Sequence, residues 1–257
     1  QSFGEVPMRF SSRHILQISL AMLSGLTGSA CQDGVVDRCF EKYGREVVEE
    51  IELKKFTSLE IMDDIEVELV SGTFQQVVLT TYEELLPNVT FTEIEQGYRV
   101  ENATTCLWNS HYKSPKLTIS SPDLNFIVHR STSPMYSRDT IRLDRLWLAI
   151  HLSYTEIDLT IKTGGFVLRN YGKSNVKISG TSDYADLFVN QQVSLVDCSQ
   201  LRAKVVVVEH EGLNDMKVLP TDTLRGTMSG YGNLIYFNEP KAIKVCINGS
   251  GKLLSYD

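Results

Sequence analysis

Ile157-Asp158-Leu159-Thr160-Ile161 is followed by Val176-Lys177-Ile178-Ser179-Gly180, Leu195-Val196-Asp197-Cys198-Ser199, Met216-Lys217-Val218-Leu219-Pro220, Leu234-Ile235-Tyr236-Phe237 and a last start at Leu253. The starts are 19, 19, 21, 18 and 19 residues apart. A second apolar series runs between them, at Phe166, Leu187, Val206, Thr227 and Val245, with steps of 21, 19, 21 and 18. Two strand series sharing one period near twenty describe a solenoid, in which each rung buries its apolar face only against its neighbours. Gly, Asn, Asp and Ser fall between the strands, as in Asn170-Tyr171-Gly172, Gly164-Gly165, Ser179-Gly180-Thr181 and Ser229-Gly230-Tyr231-Gly232-Asn233. These residues suit tight corners. The expected fold is all-β, a right-handed β-helix or solenoid-like stack of short strands; a β-sandwich is the structural alternative.

Upstream, period-two alternation begins near Glu46. Ile61, Ile65, Val67 and Leu69 alternate with Asp64, Glu66 and Glu68, which reads as a half-buried strand carrying a solvated acidic row rather than a metal site. Val77-Val78-Leu79, Val89-Thr90-Phe91 and Lys116-Leu117-Thr118-Ile119 continue this N-terminal β segment. One short helix is expected, near 37–46 or 82–86. The polar stretch Ser131 to Arg142 separates the two halves, so residues 46–257 form the β domain, with 46–130 and 143–257 as candidate subdivisions.

The first thirty residues differ. Arg9 and Arg13 precede the apolar run Ile15 to Leu23, then Gly28-Ser29-Ala30 and Cys31. A basic start, a short apolar core and small residues describe a secretory signal, here 1–30, with Met8 as the candidate start and 31–45 as a linker. Cys31 stands where a bacterial lipobox carries the acylated cysteine. The expectation is an exported protein, lipid-anchored in the bacterial cell envelope at the outer membrane. Cys39 and Cys106 are a candidate disulfide in that oxidising compartment, with buried free thiols as the alternative. No C-x-x-C pair points to zinc.

The formal net charge of −7 argues against a nucleic-acid partner. Parallel β-helices also host polysaccharide lyases and hydrolases, which need carboxylates on one face. Asp183, Asp186 and Asp197, with Arg169 one rung earlier, are the best candidates, and solvated turn aspartates the competing reading. His210 lies between Glu209 and Glu211, but a strand sends it to the opposite face. No G-x-S-x-G elbow, P-loop or dinucleotide fingerprint is present, and no cofactor is expected. Trp108, Tyr112, Trp147, Tyr154, Tyr171, Tyr184 and Tyr231 could form a binding surface, but their burial tendency favours core or end positions.

Several segments together resemble the family described as "putative auto-transporter adhesin, head GIN domain", known mostly from small lipoproteins of Bacteroidetes. They are Cys39-Phe40, Phe56-Thr57-Ser58-Leu59-Glu60-Ile61, Asp64 to Leu69, Thr105-Cys106-Leu107-Trp108, Pro122-Asp123-Leu124, and above all Ser229 to Tyr236 with Pro240 and Gly249-Ser250-Gly251-Lys252-Leu253. The resemblance covers roughly Cys39 to Tyr256. Where that family carries a Gly-Ser-Gly turn after Pro-Asp-Leu, this chain has His129-Arg130-Ser131-Thr132-Ser133. The resemblance implies a β-helical domain, non-enzymatic, acting as an adhesin-like binding scaffold at the surface or in the periplasm. Its partners would be a membrane through the anchor and glycans or proteins at the cell surface.

Overall fold

A computed structural model describes residues 43–256 apart from 106, 152–153 and 191–192. These residues form one compact unit, a β-solenoid of about six turns. No helix among them is long and apolar enough to cross a membrane.

The repeats become four long strands stacked in parallel: β11 (Glu156–Asn170), β12 (Asn175–Val189), β13 (Leu195–His210) and β14 (Met216–Met228). The two expected strand series therefore merge into one bent strand per rung. Gly164-Gly165 and Ser179-Gly180-Thr181 lie inside these strands and not between them. The physical reason is that in-register hydrogen bonding continues through the bend. A glycine is required there because Gly180 has φ of 107° and an added Cβ would lie 2.0 Å from the Ile161 carbonyl oxygen. Gly226 also has a positive φ, 141°, but lies on the second arm of β14 opposite Val208, where an added Cβ would come 1.9 Å from the Val208 carbonyl oxygen.

Parity changes at the bend. Ile157, Leu159 and Ile161 point inward on the first arm of β11, and Phe166, Leu168 and Asn170 on the second. Register stacks Ile157, Val176, Val196, Met216 and Leu234 in one core column, and Leu168, Leu187 and Val208 in another. The unequal periods are absorbed by irregularities between Lys177 and Ser179, between Cys198 and Arg202, and between Ala203 and Val205. Pro220 sits at one of them, where a strand can spare a backbone donor. At the corner before each first arm, side chains tie successive rungs. Thr155 Oγ1 donates to the Ser133 carbonyl at 2.7 Å, Ser194 Oγ to that of Gly172 at 2.6 Å, and Asn233 Oδ1 accepts the Lys252 N–H at 2.9 Å.

The N-terminal part belongs to the same stack. β2 (Ser58–Ile61) and β3 (Glu66–Leu69) lie between a later rung on each side. One side is β6 (Gly97–Asn102) with β7 (Lys116–Ser120), and the other is β8 (Phe126–His129) with β9 (Met135–Ser137). β10 (Ile141–Ile150) continues that second rung and pairs with β8 and β11. Three antiparallel strands cover the outer side: β5 (Val89–Ile94) on β6, β4 (Gln76–Tyr82) on β7, and β1 (Glu46–Glu50) on β4. The other end finishes in β15 (Leu234–Phe237), β16 (Ala242–Ile247) and β17 (Leu253–Tyr256), stacked in parallel, with no further strand on them among the described residues.

Three expectations change. The stretch 131–142 is no divider, because β9 within it pairs with both β3 and β11. The acidic row is not solvated: Glu68 is buried and meets Lys116 at 3.0 Å and Arg138 at 2.8 Å, and these cations hold its carboxyl below the ordinary value against the opposing effect of burial. Asp64 accepts hydroxyl hydrogen bonds from Tyr112 at 2.7 Å and Ser114 at 2.9 Å, and from Ser133. The helix is a short 3-10 turn at Glu83–Asn88, while Glu46 opens a strand. At the departure from the resembled family, Ser131 Oγ both accepts the Ile65 N–H and donates to the Ile65 carbonyl, so a hydroxyl holds the corner.

His129 ends β8 facing inward, 0% exposed, and neither ring nitrogen has a hydrogen-bond partner among the described residues. Burial pushes its pKa down to about 4. An unfolded chain takes up this proton near pH 6.5, so stability is intact above that value and falls as pH drops towards 4. Urea unfolding should therefore show that the wild type loses about 2 kcal/mol more between pH 7 and pH 5 than His129→Leu does.

Candidate functional site

The outward sides of the two arms differ in chemistry. On the first arm Asp158, Lys177, Asp197 and Lys217 share one column, with Asp158–Lys177 at 3.2 Å and Asp197–Lys217 at 3.3 Å. Alternating charges across parallel strands suit a solvated sheet surface. The second arm turns rings outward instead. Phe126 and Trp147 are neighbours in register with ring centroids 6.1 Å apart, and the Arg169 guanidinium lies 5.3 Å from the Trp147 ring. Arg169 Nη1 also pairs with Asp186 Oδ1 at 2.8 Å, and this pairing raises the guanidinium pKa.

Where the second arm enters the turn, His151 stacks on Tyr171 at 4.9 Å, and Tyr171 meets Phe188 at 5.2 Å. Trp147 and Tyr171 are each 38% exposed. Val167, Val205 and Val207 share this side, the first buried and the others half-buried, together with a half-buried Tyr184 and an exposed Glu209. The result is a partly exposed aromatic and aliphatic face in which Arg169 and Tyr184 both meet Asp186. Exposed aromatics beside an arginine are the composition of binding hot spots.

This corrects the expectation that the aromatics serve as core or end residues. Trp108, Tyr154 and Tyr231 are also exposed, whereas Tyr112 is half-buried and its phenol is pushed up by burial and by Asp64. The core is filled by aliphatic residues with Phe56, Tyr98 and Phe166, while Trp108, Trp147, Tyr154, Tyr171 and Tyr231 stay outside. The signal was present as failed alternation: Leu146-Trp147-Leu148-Ala149-Ile150, Phe166-Val167-Leu168, Leu187-Phe188-Val189 and Val205-Val206-Val207-Val208 recur at the same point of each repeat. An unbroken apolar run means that both sides of the strand are apolar.

The carboxylates weighed for catalysis do not assemble. Asp183 pairs with Lys204 at 2.6 Å, Asp186 with Arg169, and Asp197 with Lys217 and with Ser199, each in its own column. Ser199 and Lys217 hold the Asp197 carboxyl below its ordinary value, against burial as the largest single influence. His210 points into the core while Glu209 is exposed, and among the described residues no His, Cys, Asp or Glu group converges on a metal position. Cys198 is a buried free thiol, its pKa raised by burial, and Cys246 an exposed one. Cys31, Cys39 and Cys106 lie outside the described residues, as does the 1–30 segment.

The described residues thus form a parallel β-solenoid with an ion-paired first arm and outward aromatic rings on the second. The chain belongs to the family described as "Putative auto-transporter adhesin, head GIN domain", whose model matches residues 55–240. Solved structures share the fold. A putative adhesin from Bacteroides fragilis NCTC 9343 is 16% identical, with 82% of this chain and 97% of that chain covered and a TM-score of 0.73. A putative adhesin from Parabacteroides distasonis ATCC 8503 is 15% identical over 83% and 98%, with a TM-score of 0.61. From the same strain, a structure described as a putative lipid binding protein is 15% identical over 83% and 98%, with a TM-score of 0.52. No curated protein matches the chain.

Thermal melts should separate surface pairs from core columns. Asp197→Asn should lower the melting temperature by about 2 °C or less, as for a partly exposed ion pair. Leu187→Ala, in a fully buried column, should cost about 2–5 kcal/mol.

Proposed function

We propose that the chain is a non-enzymatic, adhesin-like binding scaffold of the bacterial cell envelope that takes a glycan or protein of the cell surface on its aromatic face. The observation that carries this reading is the outward row of Phe126, Trp147, Tyr171 and Phe188 around Arg169–Asp186. Flat rings stack on the apolar faces of sugars or on side chains, and the ion pair supplies donors and acceptors to fix orientation. A regular stack keeps these groups at fixed height without a deep cavity, which suits a long ligand more than a reacting small molecule. The ion-paired state of Asp183, Asp186 and Asp197 supports binding over hydrolysis.

On a glycan and host-protein array, Trp147→Ala and Tyr171→Ala should each weaken the strongest wild-type signal about tenfold or more, a loss typical of a hot-spot residue. Equal signals would defeat the reading. Turnover of any polysaccharide by the wild type that Asp183→Ala, Asp186→Ala or Asp197→Ala abolishes would favour an enzyme instead.

The same reading makes the protein an exported lipoprotein, acylated at Cys31 and anchored at the outer membrane. Two acyl chains give durable attachment where one is marginal. Cells fed a palmitate analogue should label the wild type and not Cys31→Ser; equal labelling removes the anchor.

A further inference from the structure

We propose that a groove at the bend between the two arms binds an anionic polysaccharide, carboxylated or sulfated, lying along the solenoid axis. This is a second site beyond the aromatic face and does not depend on it. The groove has a volume of about 750 Å³ and is lined by four cationic side chains, Arg142, Lys162, Arg202 and Lys204, against two carboxylates, Asp144 and Asp183. In a chain of net charge −7 this is a local reversal of sign.

Register gives the cations their order. Arg142 lies opposite Lys162, Lys162 opposite Thr181, and Thr181 opposite Arg202, so the three cations share one outward column, Arg142 and Lys162 on adjacent rungs and Arg202 two rungs beyond Lys162. Rungs are spaced by about 4.8 Å. Like charges at that spacing repel, and on the same arms the column from Asp158 to Lys217 avoids this by alternating sign. The side chains of Arg142, Lys162 and Arg202 enter no ion pair or hydrogen bond among the described residues. Lys204 is already paired with Asp183 at 2.6 Å. An uncompensated column costs stability, and an anionic ligand removes that cost.

The floor is shaped to admit a chain. Gly164 lies between the levels of Asp144 and Asp183, and the space a Cβ would occupy meets only the Asp144 carbonyl oxygen, at 3.1 Å. A glycan carrying one acidic group per sugar, or one per disaccharide, advances by steps comparable to one or two rungs. That places successive anions beside Arg142 and Lys162 and then, across the neutral Thr181, beside Arg202. Nucleic acid fits less well, because the groove offers no stacking ring among its lining residues.

The test uses the described domain within the full chain, titrated against immobilised polygalacturonate and dextran sulfate, with neutral dextran as control. The wild type should bind both anionic polymers, bind neutral dextran at least tenfold more weakly, and lose affinity as salt rises. Lys162→Gln with Arg202→Gln should weaken binding at least tenfold and flatten the salt dependence, while Thr181→Lys, which fills the gap in the column, should tighten it. Trp147→Ala should leave polyanion binding unchanged, so failure of the aromatic face and failure of the groove are read separately. Equal binding by the double variant, equal binding of neutral dextran, or tighter binding of single-stranded DNA or phosphatidylglycerol vesicles through the same cations overturns the proposal.

Discussion

In this protein a backbone N–H or C=O of one rung finds its partner in the next rung, at the same height and in register. That constraint fixes nearly everything else. Residues one period apart must be stacked, so inward positions become columns such as Leu168–Leu187–Val208, and outward positions become rows of repeated chemistry. A polar residue placed in a core column meets its neighbours' apolar side chains above and below, as His129 does opposite Ile61 and Ile150. A charge placed outward meets whatever charge the next rung carries. Gly180 and Gly226 let their rungs pass close to the carbonyls of Ile161 and Val208 in the rung before, where a side chain would collide.

The constraint also separates what was legible in the sequence from what was not. The period near twenty and the corner residues follow from local pattern, because rungs β11 to β14 succeed one another in both chain and space. The N-terminal rungs do not. Ser58 pairs with Gly97 on one side and Phe126 on the other, so β2–β3 is enclosed by segments that come later in the chain. No local periodicity encodes that order. Glu68 misleads for the same reason: its alternation looks like a solvated row, and the cations that neutralise it arrive from β7 and from Arg138.

The aromatic face was hidden by a general tendency that fails under this geometry. Large rings are buried on average, but here the core columns are mostly aliphatic, with Phe56, Tyr98 and Phe166 as buried rings, and Trp147 stands on the outward side. The repeated loss of alternation on the second arm marked the face, since a strand apolar on both sides needs something beyond its own core to cover the outer one. The acidic candidates fared differently. Asp183, Asp186 and Asp197, read from sequence as candidate catalytic carboxylates or solvated turn aspartates, lie within strands β12 and β13, and only the three-dimensional register assigns each its own cation.

The register irregularities are confined to the first arm and the bend. Beyond them, Tyr184 to Val189 pairs with Val205 to His210 without interruption, and Val205 to His210 pairs with Thr223 to Met228 in the same way. Insertions and deletions of one or two residues can therefore accumulate in a lineage on one side of the molecule while the opposite side keeps its spacing. Such a chain can drift in repeat length, rung by rung, and still hand down an unaltered pattern of surface contacts.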